Sequence, residues 1–165
     1  MLLEMSVHGI ALDPFTNVPI VILKDEKEEQ TLPIWIGVLE ASAIATELEK
    51  LSFSRPMTHD LLNEILKTTK VEVSRIEVTD LKENVYYAKI YMDSAAGGEL
   101  VVDARPSDAI AVALRANCPI LVDAGVLEKS KSIDMRGSSG ESLETDEWLE
   151  MLEDLSPEDF GKYKM

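Results

Sequence analysis

Two short segments bring together residue types that could bind and act on an anion. Residues 55–60 read Arg-Pro-Met-Thr-His-Asp, and residues 103–108 read Asp-Ala-Arg-Pro-Ser-Asp. Each segment opens an apolar helical pattern, and a helix N-terminus offers an anion backbone N–H groups that have no acceptor within the helix. An arginine held beside that N-terminus by a stiff proline adds donors matched to phosphate or carboxylate. The pattern predicts that Arg55 and Arg105 bind a substrate phosphate.

Thr58 and Ser107 have two interpretations. Their hydroxyl groups could help the neighbouring arginines to bind the substrate. Both residues are also good N-caps, and an aspartate in the first turn stabilises the positive end of a helix. In this structural alternative each segment is only a well-formed helix start, and Asp108 caps its own helix.

Three acidic residues could hold a divalent cation near the arginines. Asp103 ends a predicted strand and Asp108 begins the next helix, while Glu40 begins another helix and either caps it or points into the same cleft. Carboxylate oxygens are the ligands that Mg²⁺ and Mn²⁺ prefer, and such an ion can activate water or stabilise a leaving phosphate oxygen. In the alternative, Asp103 pairs with Arg105 or Arg55.

His59 is the candidate for proton transfer. It lies in the first turn of its helix beside Asp60, and imidazole can act as a general base, a general acid or a metal ligand near neutral pH. The alternative is a surface histidine at a helix start. Trp35 alternates within a predicted strand, which favours a place in the core or at its rim over a role in stacking on bases.

The charge of the chain argues against a conventional nucleic-acid-binding surface. The formal net charge is −15, and no basic stripe of the kind that displaces counterions from nucleic acid is visible. A polyanionic substrate would therefore need metal ions, a local group of arginines, or both. We expect weak binding of long duplexes and a steep dependence on salt.

The composition predicts a cytoplasmic protein without a membrane segment. No apolar run approaches the roughly 20 residues of a membrane span, and the N-terminus lacks a basic start followed by an apolar stretch. The single cysteine, Cys118, cannot form a disulfide within the chain and follows a helical pattern, which favours a buried structural role.

The order of apolar patterns predicts an α+β fold with a mainly antiparallel sheet and three or four packed helices. Strand patterns cover residues 1–12, 18–23, 31–36, 71–78, 85–92, 99–103 and 119–122. Helical patterns cover residues 38–51, 58–69 and 107–117.

The C-terminal part of the chain has a different composition. Residues 1–127 are predicted to form one domain, and the Ser-, Gly- and Lys-rich residues 128–141 a linker. An acidic tail follows over residues 142–165, with a short amphipathic helix from Ser142 to Leu155. Because so short a helix is unstable alone, we expect it to dock on the domain, on another subunit or on a partner protein.

Three blocks of sequence resemble the bifunctional nuclease family, in the family's order. They are Leu-Pro-Ile-Trp-Ile-Gly at residues 32–37 running into Glu40, Arg-Pro-Met-Thr-His-Asp-Leu at residues 55–61, and Asp-Ala-Arg-Pro-Ser-Asp-Ala-Ile-Ala at residues 103–111. The resemblance covers about residues 3–127. It implies hydrolysis of phosphodiester bonds in RNA and DNA with little sequence preference, and it transfers motif positions rather than established residue roles. The chain has no Walker-type phosphate loop, Gly-x-Ser-x-Gly elbow or cysteine–histidine zinc spacing.

We therefore expect a nuclease that acts on DNA or RNA. In this hypothesis His59, Asp103 and Asp108 are catalytic, and Asp103, Asp108 and Glu40 hold Mg²⁺ or Mn²⁺. The alternative hypothesis is a non-catalytic module that binds an anion or nucleotide and whose tail docks a partner. Strands with free edges make a homo-oligomer plausible in either case.

Overall fold

The apolar runs predicted as strands all join one sheet. The computed structural model describes residues 1–27 and 29–134. Its strands are β1 (Leu2–Leu12), β2 (Pro19–Asp25), β3 (Thr31–Trp35), β4 (Val71–Lys82), β5 (Val85–Ser94), β6 (Glu99–Ala104) and β7 (Ile120–Asp123). Its helices are α1 (Val38–Leu48), α2 (Thr58–Thr68), α3 (Pro106–Ala116) and α4 (Ala124–Asp134). In this part of the chain no helix is long and apolar enough to span a bilayer.

The sheet is antiparallel except at one pair of strands. Its order is β3-β2-β1-β7-β4-β5-β6. β7 reaches the centre of the sheet because α3 carries the chain back from the β6 edge, and β7 then lies parallel to β4 and antiparallel to β1. The predicted α+β class with a mainly antiparallel sheet and three or four packed helices is confirmed.

The sheet curls so that its edge strand β3 approaches β5. In a flat sheet, five strand spacings of about 4.8 Å would separate β3 from β5 by roughly 24 Å. Instead, the Tyr86 hydroxyl on β5 donates a hydrogen bond to the Pro33 carbonyl on β3 at 3.3 Å. This closure places the end of β3 beside the start of β5 and leaves a cleft between them.

Small side chains let α3 pack closely in the core. Ala109, Ala111 and Ala113 are at most 1% exposed, and α3 contacts α1, α2, β4 and β5. Because a helix face made of alanine allows close approach of neighbouring backbones, the N-terminus of α3 is held firmly against the N-terminal parts of α1 and α2.

The outer face of α2 is not covered by the rest of the described chain. Leu61, Leu62 and Ile65 lie at the spacing expected of a core-facing stripe, yet they are between 39% and 50% exposed. On the same apolar face of α2, Leu66 does pack against the core. The apolar stripe of α2 is therefore wider than the surface against which this domain buries it.

The predicted N-caps were wrong by one or two residues. Arg105 and Met57 are the N-caps of α3 and α2, and no side chain caps α3. Proline suits the first position of a helix because its φ is already fixed and its missing N–H has no helical partner to lose, so Pro106 starts the helix and Ser107 falls in the first turn.

The predicted linker begins inside a helix. Residues 128–134 belong to α4, where Leu127 and Ser130 are buried and α4 contacts β7, β4 and β3. The helical spacing of Val126, Leu127 and Ser130 was the signal that the Lys- and Ser-rich composition obscured. The rest of the predicted linker, and the tail over residues 142–165 with its amphipathic helix, lie outside the described residues.

Candidate functional site

Three helices begin at one place and contribute the same kind of residue there. Glu40, Asp60 and Asp108 each occupy the third position of their helix, in α1, α2 and α3 respectively. A carboxylate in the first turn stabilises a helix through its dipole. The contacts below show that these carboxylates also bind cationic side chains from other parts of the chain, so they do more than stabilise their own helices.

A continuous chain of ion pairs and hydrogen bonds joins the two Arg-Pro segments. Arg105 donates a hydrogen bond from Nε to Asp108 Oδ2 at 2.8 Å. Its Nη1 forms an ion pair with Glu40 Oε1 and its Nη2 one with Asp108 Oδ2, each at 2.8 Å. The other oxygen of Asp108, Oδ1, lies 3.0 Å from His59 Nε2. The order is therefore Glu40–Arg105–Asp108–His59, and it links residues that are far apart in the sequence. We call these four residues the helix-start cluster.

Arg105 is the exposed cation of the helix-start cluster. Its side chain is 66% exposed, and its hydrogen bond to Asp108, with the charges of Asp108 and Glu40, raises the pKa of the guanidinium above its ordinary value. A guanidinium has five N–H donors. Nε donates to Asp108, and each terminal nitrogen carries two N–H groups but contacts a single carboxylate oxygen. Nη1 and Nη2 therefore each keep an N–H for a substrate oxygen.

The N-terminus of α3 adds backbone donors beside Arg105. The first helical hydrogen bond runs from the Ala109 N–H to the Arg105 carbonyl at 3.0 Å. The N–H groups of Ser107 and Asp108 precede it and so have no acceptor within the helix. A phosphate near Arg105 could therefore also accept hydrogen bonds from this turn.

Gly37 makes room for the carboxylate of Glu40. Gly37 is the N-cap of α1, with φ −74° and ψ 160°, a conformation that any residue adopts. A Cβ at this position would instead collide with Glu40 Oε2. The absence of a side chain is what lets Glu40 fold back over the helix start and reach Arg105.

Arg115 holds the three helices together behind the helix-start cluster. Its side chain is only 5% exposed and donates to Asp60 Oδ1 at 2.6 Å, and to the carbonyls of Ala111 and Ala43, each at 3.0 Å. Burial opposes ionisation of Asp60, but the hydrogen bonds from Arg115 and from the Met57 N–H hold the pKa of this carboxyl below its ordinary value.

The structure brings together only part of the predicted site. Glu40, His59, Arg105 and Asp108 form the helix-start cluster, and Ser107 is buried beside them. Three predicted residues are exposed and, among the described residues, have no hydrogen bond or ion pair to the helix-start cluster. They are Arg55 in the loop between α1 and α2, Thr58 at the start of α2, and Asp103 on β6 opposite Lys89.

The alternative in which Asp103 pairs with Arg105 or Arg55 is wrong: Arg105 turns toward Glu40 and Asp108, and within the described residues no ion pair joins Asp103 to Arg55. The metal ligands predicted from Asp103, Asp108 and Glu40 are not assembled: among the described residues, no group of three His, Cys, Asp or Glu side chains could hold a metal ion. Arg105 lies between the other two carboxylates, where a shared cation would have to be.

A cleft of about 390 Å³ opens next to Arg105, where the curled sheet brings β3 and β5 together. Trp35 and Gly37 border it on one side, Asn84 and Tyr86 on another, and the start of α3 on a third. Sequence reasoning missed Gly37, Arg115 and this cleft as parts of the site. The spacing of Gly37 three residues before Glu40, which is the distance from an N-cap to the third helical residue, was the available signal for the first.

A family model and several known proteins are similar to this chain. The family model described as the bifunctional nuclease domain matches residues 21–135. An uncharacterized protein of Mycobacterium tuberculosis is 34% identical over 163 residues, which are 95% of this chain and 97% of that protein. Bifunctional nuclease 1 of Arabidopsis thaliana is 26% identical over 119 residues, which are 70% of this chain and 37% of the plant protein. Bifunctional nuclease 1 of Oryza sativa subsp. japonica is 24% identical over 106 residues, 63% of this chain and 32% of that protein.

Proposed function

The chain belongs to the bifunctional nuclease family, and from that premise we propose that it hydrolyses phosphodiester bonds in DNA and RNA with little sequence specificity. The observation that carries the proposal is the contact between His59 Nε2 and Asp108 Oδ1 at 3.0 Å, in a cluster that also exposes Arg105. An imidazole oriented by a carboxylate and placed beside an anion-binding group can act as a general base on water that attacks a bound phosphate ester.

Each residue of the helix-start cluster has a role in the proposed reaction. Arg105 and the first-turn N–H groups of α3 bind the phosphate and stabilise the charge that develops on its oxygens. Asp108 accepts a hydrogen bond from His59 Nε2, which leaves Nδ1 as the base. A water oxygen bonds to phosphorus as its proton passes to Nδ1; the ester bond breaks, and the leaving oxygen takes that proton. Glu40 positions Arg105.

The cleavage assay also tests whether the proposed reaction needs a divalent ion. Mg²⁺ or Mn²⁺ held by Asp108 and Glu40, with Asp103, would supply an activated water or a counter-charge. Because Arg105 occupies the space between Asp108 and Glu40, none of the steps above uses a metal. A cytoplasmic location, a homo-oligomer and a protein partner for the tail also stay predictions.

The second candidate function is a non-catalytic module that binds an anion or a nucleotide. Its support is the neutralisation of Arg105 by two carboxylates of the same chain, together with a net charge of −15. In this alternative the cluster binds a single phosphate weakly, and the acidic surface repels long polyanions.

Cleavage of labelled single-stranded and duplex RNA and DNA separates the two candidates. Wild type, Arg105→Ala and Asp108→Asn are compared in Mg²⁺, Mn²⁺ or EDTA. Asp80→Asn is the matched control, because Asp80 is also an ion-paired aspartate but lies on β4, where its partners are Lys129 and Lys82.

We expect wild type and Asp80→Asn to cleave equally. Both site variants should lose about 100-fold or more, as is typical for loss of a group that positions the base or of one that stabilises developing charge. Equal cleavage by all four proteins would mean that the activity comes from a contaminant or from another site. Binding of a 5′-nucleotide without any turnover would favour the second candidate.

A further inference from the structure

The cleft beside Arg105 has the size and lining of a small-ligand site. Its volume of about 390 Å³ falls within the roughly 300–1,000 Å³ usual for such sites. Apolar side chains form most of its wall, and Asn84, Ser107 and Arg105 supply polar groups at its margin. That combination suits a flat, mostly apolar group that carries an anion at one end.

Two aromatic residues of this cleft are held in place by hydrogen bonds at their edges. The Trp35 indole N–H donates to Asp13 Oδ2 at 3.0 Å, and Asp13 Oδ1 also accepts the backbone N–H groups of Phe15 and Thr16. The Tyr86 hydroxyl donates to the Pro33 carbonyl. Rings fixed in this way lose little entropy when a ligand packs against them.

Trp35 is unusually exposed for a tryptophan fixed in this way. The sequence favoured a place in the core or at its rim, and the structure puts Trp35 at the rim with 42% of its surface exposed. The structure also shows that Trp35 and Arg105 line the same cleft, which the sequence did not predict. Aromatic side chains stack on bases and arginines bind phosphate, so the two parts of one nucleotide each have a partner among the residues that line this cleft.

We propose that this cleft binds one unpaired nucleotide, with its base stacked on Trp35 and its phosphate on Arg105. The substrate class is then single-stranded nucleic acid, because a base within a duplex is already stacked and paired and cannot enter the cleft without being flipped out. Stacking accepts every base, so the subsite also accounts for low sequence specificity. This inference deepens the proposed function and rests on it only for cleavage, not for binding.

Intrinsic fluorescence tests the subsite without any catalytic readout. The chain has two tryptophans, so Trp148→Phe in the full chain leaves Trp35 as the single reporter. Adenosine 5′-monophosphate and inorganic phosphate are titrated in parallel. We expect saturable quenching with the nucleotide and none with phosphate alone. Absence of quenching by the nucleotide up to millimolar concentration would overturn the proposal.

Binding of a labelled single-stranded oligonucleotide gives the second measurement. It is made in EDTA and in a His59→Ala background, so that cleavage is suppressed with or without a metal. Stacking on an aromatic side chain contributes about 1–3 kcal/mol per base, so Trp35→Leu should weaken binding about fivefold to 150-fold. Trp35→Phe keeps a ring and should bind nearly as wild type, which shows that the loss is not due to misfolding.

Tyr87→Leu is the matched control for these variants. Tyr87 is also 42% exposed, but as the next residue on β5 it points to the opposite face from Tyr86. Unchanged binding in Trp35→Leu, or an equal loss in Tyr87→Leu, would refute the subsite. If the wild type quenches with nucleotide but never cleaves nucleic acid, the subsite stands and the proposed nuclease activity fails.

Discussion

Replacement of Arg115 by methionine should destabilise the domain far more than loss of a typical surface arginine. Methionine fills similar space but removes the hydrogen bonds to Asp60 and to the carbonyls of Ala43 and Ala111. These bonds tie α1 and α2 to α3. Because Arg115 is 5% exposed while Asp60 is 34% exposed, water can replace the guanidinium at Asp60 only in part.

The magnitude follows from what each partner loses. The Ala111 and Ala43 carbonyls lie inside helices and keep their helical hydrogen bonds, so their loss is small. The charged bond to Asp60 is the main contribution, and breaking a buried ion pair costs about 3–5 kcal/mol. Because Asp60 is 34% exposed and solvent can partly compensate, we expect about 2–3 kcal/mol, which lowers the melting temperature by roughly 8 °C.

Urea unfolding of Arg115→Met, Asp60→Asn and the double variant measures this contribution. The double variant should be no more than about 1 kcal/mol less stable than Arg115→Met alone, because the two changes remove the same bond. Lys50→Met is the control: Lys50 pairs with Glu47 at 2.9 Å but is 77% exposed, and its loss should cost under about 0.5 kcal/mol. Equal effects of Arg115→Met and Lys50→Met, or full additivity in the double variant, would refute the reasoning.

Three further predictions concern the helix starts and the exposed face of α2. Gly37→Ala should displace Glu40 from Arg105 and reduce cleavage as far as Glu40→Gln does, while urea unfolding changes by only about 1 kcal/mol. The pKa of Asp60 in the folded protein lies below its ordinary value of 3.8. The ionised carboxylate therefore stabilises the fold above pH 3.8, and this contribution is lost as the pH falls through the folded-state pKa. The drop in the free energy of unfolding between about pH 6 and pH 3 should be smaller in Asp60→Asn than in wild type. Ile65→Glu, on the uncovered stripe of α2, should lower the oligomeric state in sedimentation if that stripe is a subunit interface, and an unchanged state would exclude it.

The sequence predicted the elements well because local patterns determine them. Alternating and continuous apolar runs marked every strand of the sheet, and the helical periods of α1, α2 and α3 were visible without any knowledge of their partners. The exact helix starts were predicted less well, since proline at the first helical position and a hydroxyl residue at the N-cap are both favourable. The choice at Pro106 depended on packing of α3.

Contacts between distant segments were beyond the sequence. His59 and Asp108 are 49 residues apart, and nothing local shows that α2 and α3 begin side by side. The same limit applies to Arg115, whose partners lie on two other helices, and to the cleft, which exists only because the sheet curls. The sequence does not distinguish a charged helical residue that faces solvent from one, such as Arg115, that is buried between three helices.

Chemical rescue of a histidine variant tests the central claim most directly. His59→Ala removes the imidazole and leaves Arg105 and Asp108 in place, and free imidazole in the buffer can occupy the vacated space. Cleavage of single-stranded RNA and DNA is measured for His59→Ala with increasing imidazole. We predict that cleavage is lost in the variant and returns with the concentration of imidazole, while wild type is unaffected. Full activity of His59→Ala without imidazole, or no cleavage by rigorously purified wild type, would contradict a nuclease in which His59 moves the proton.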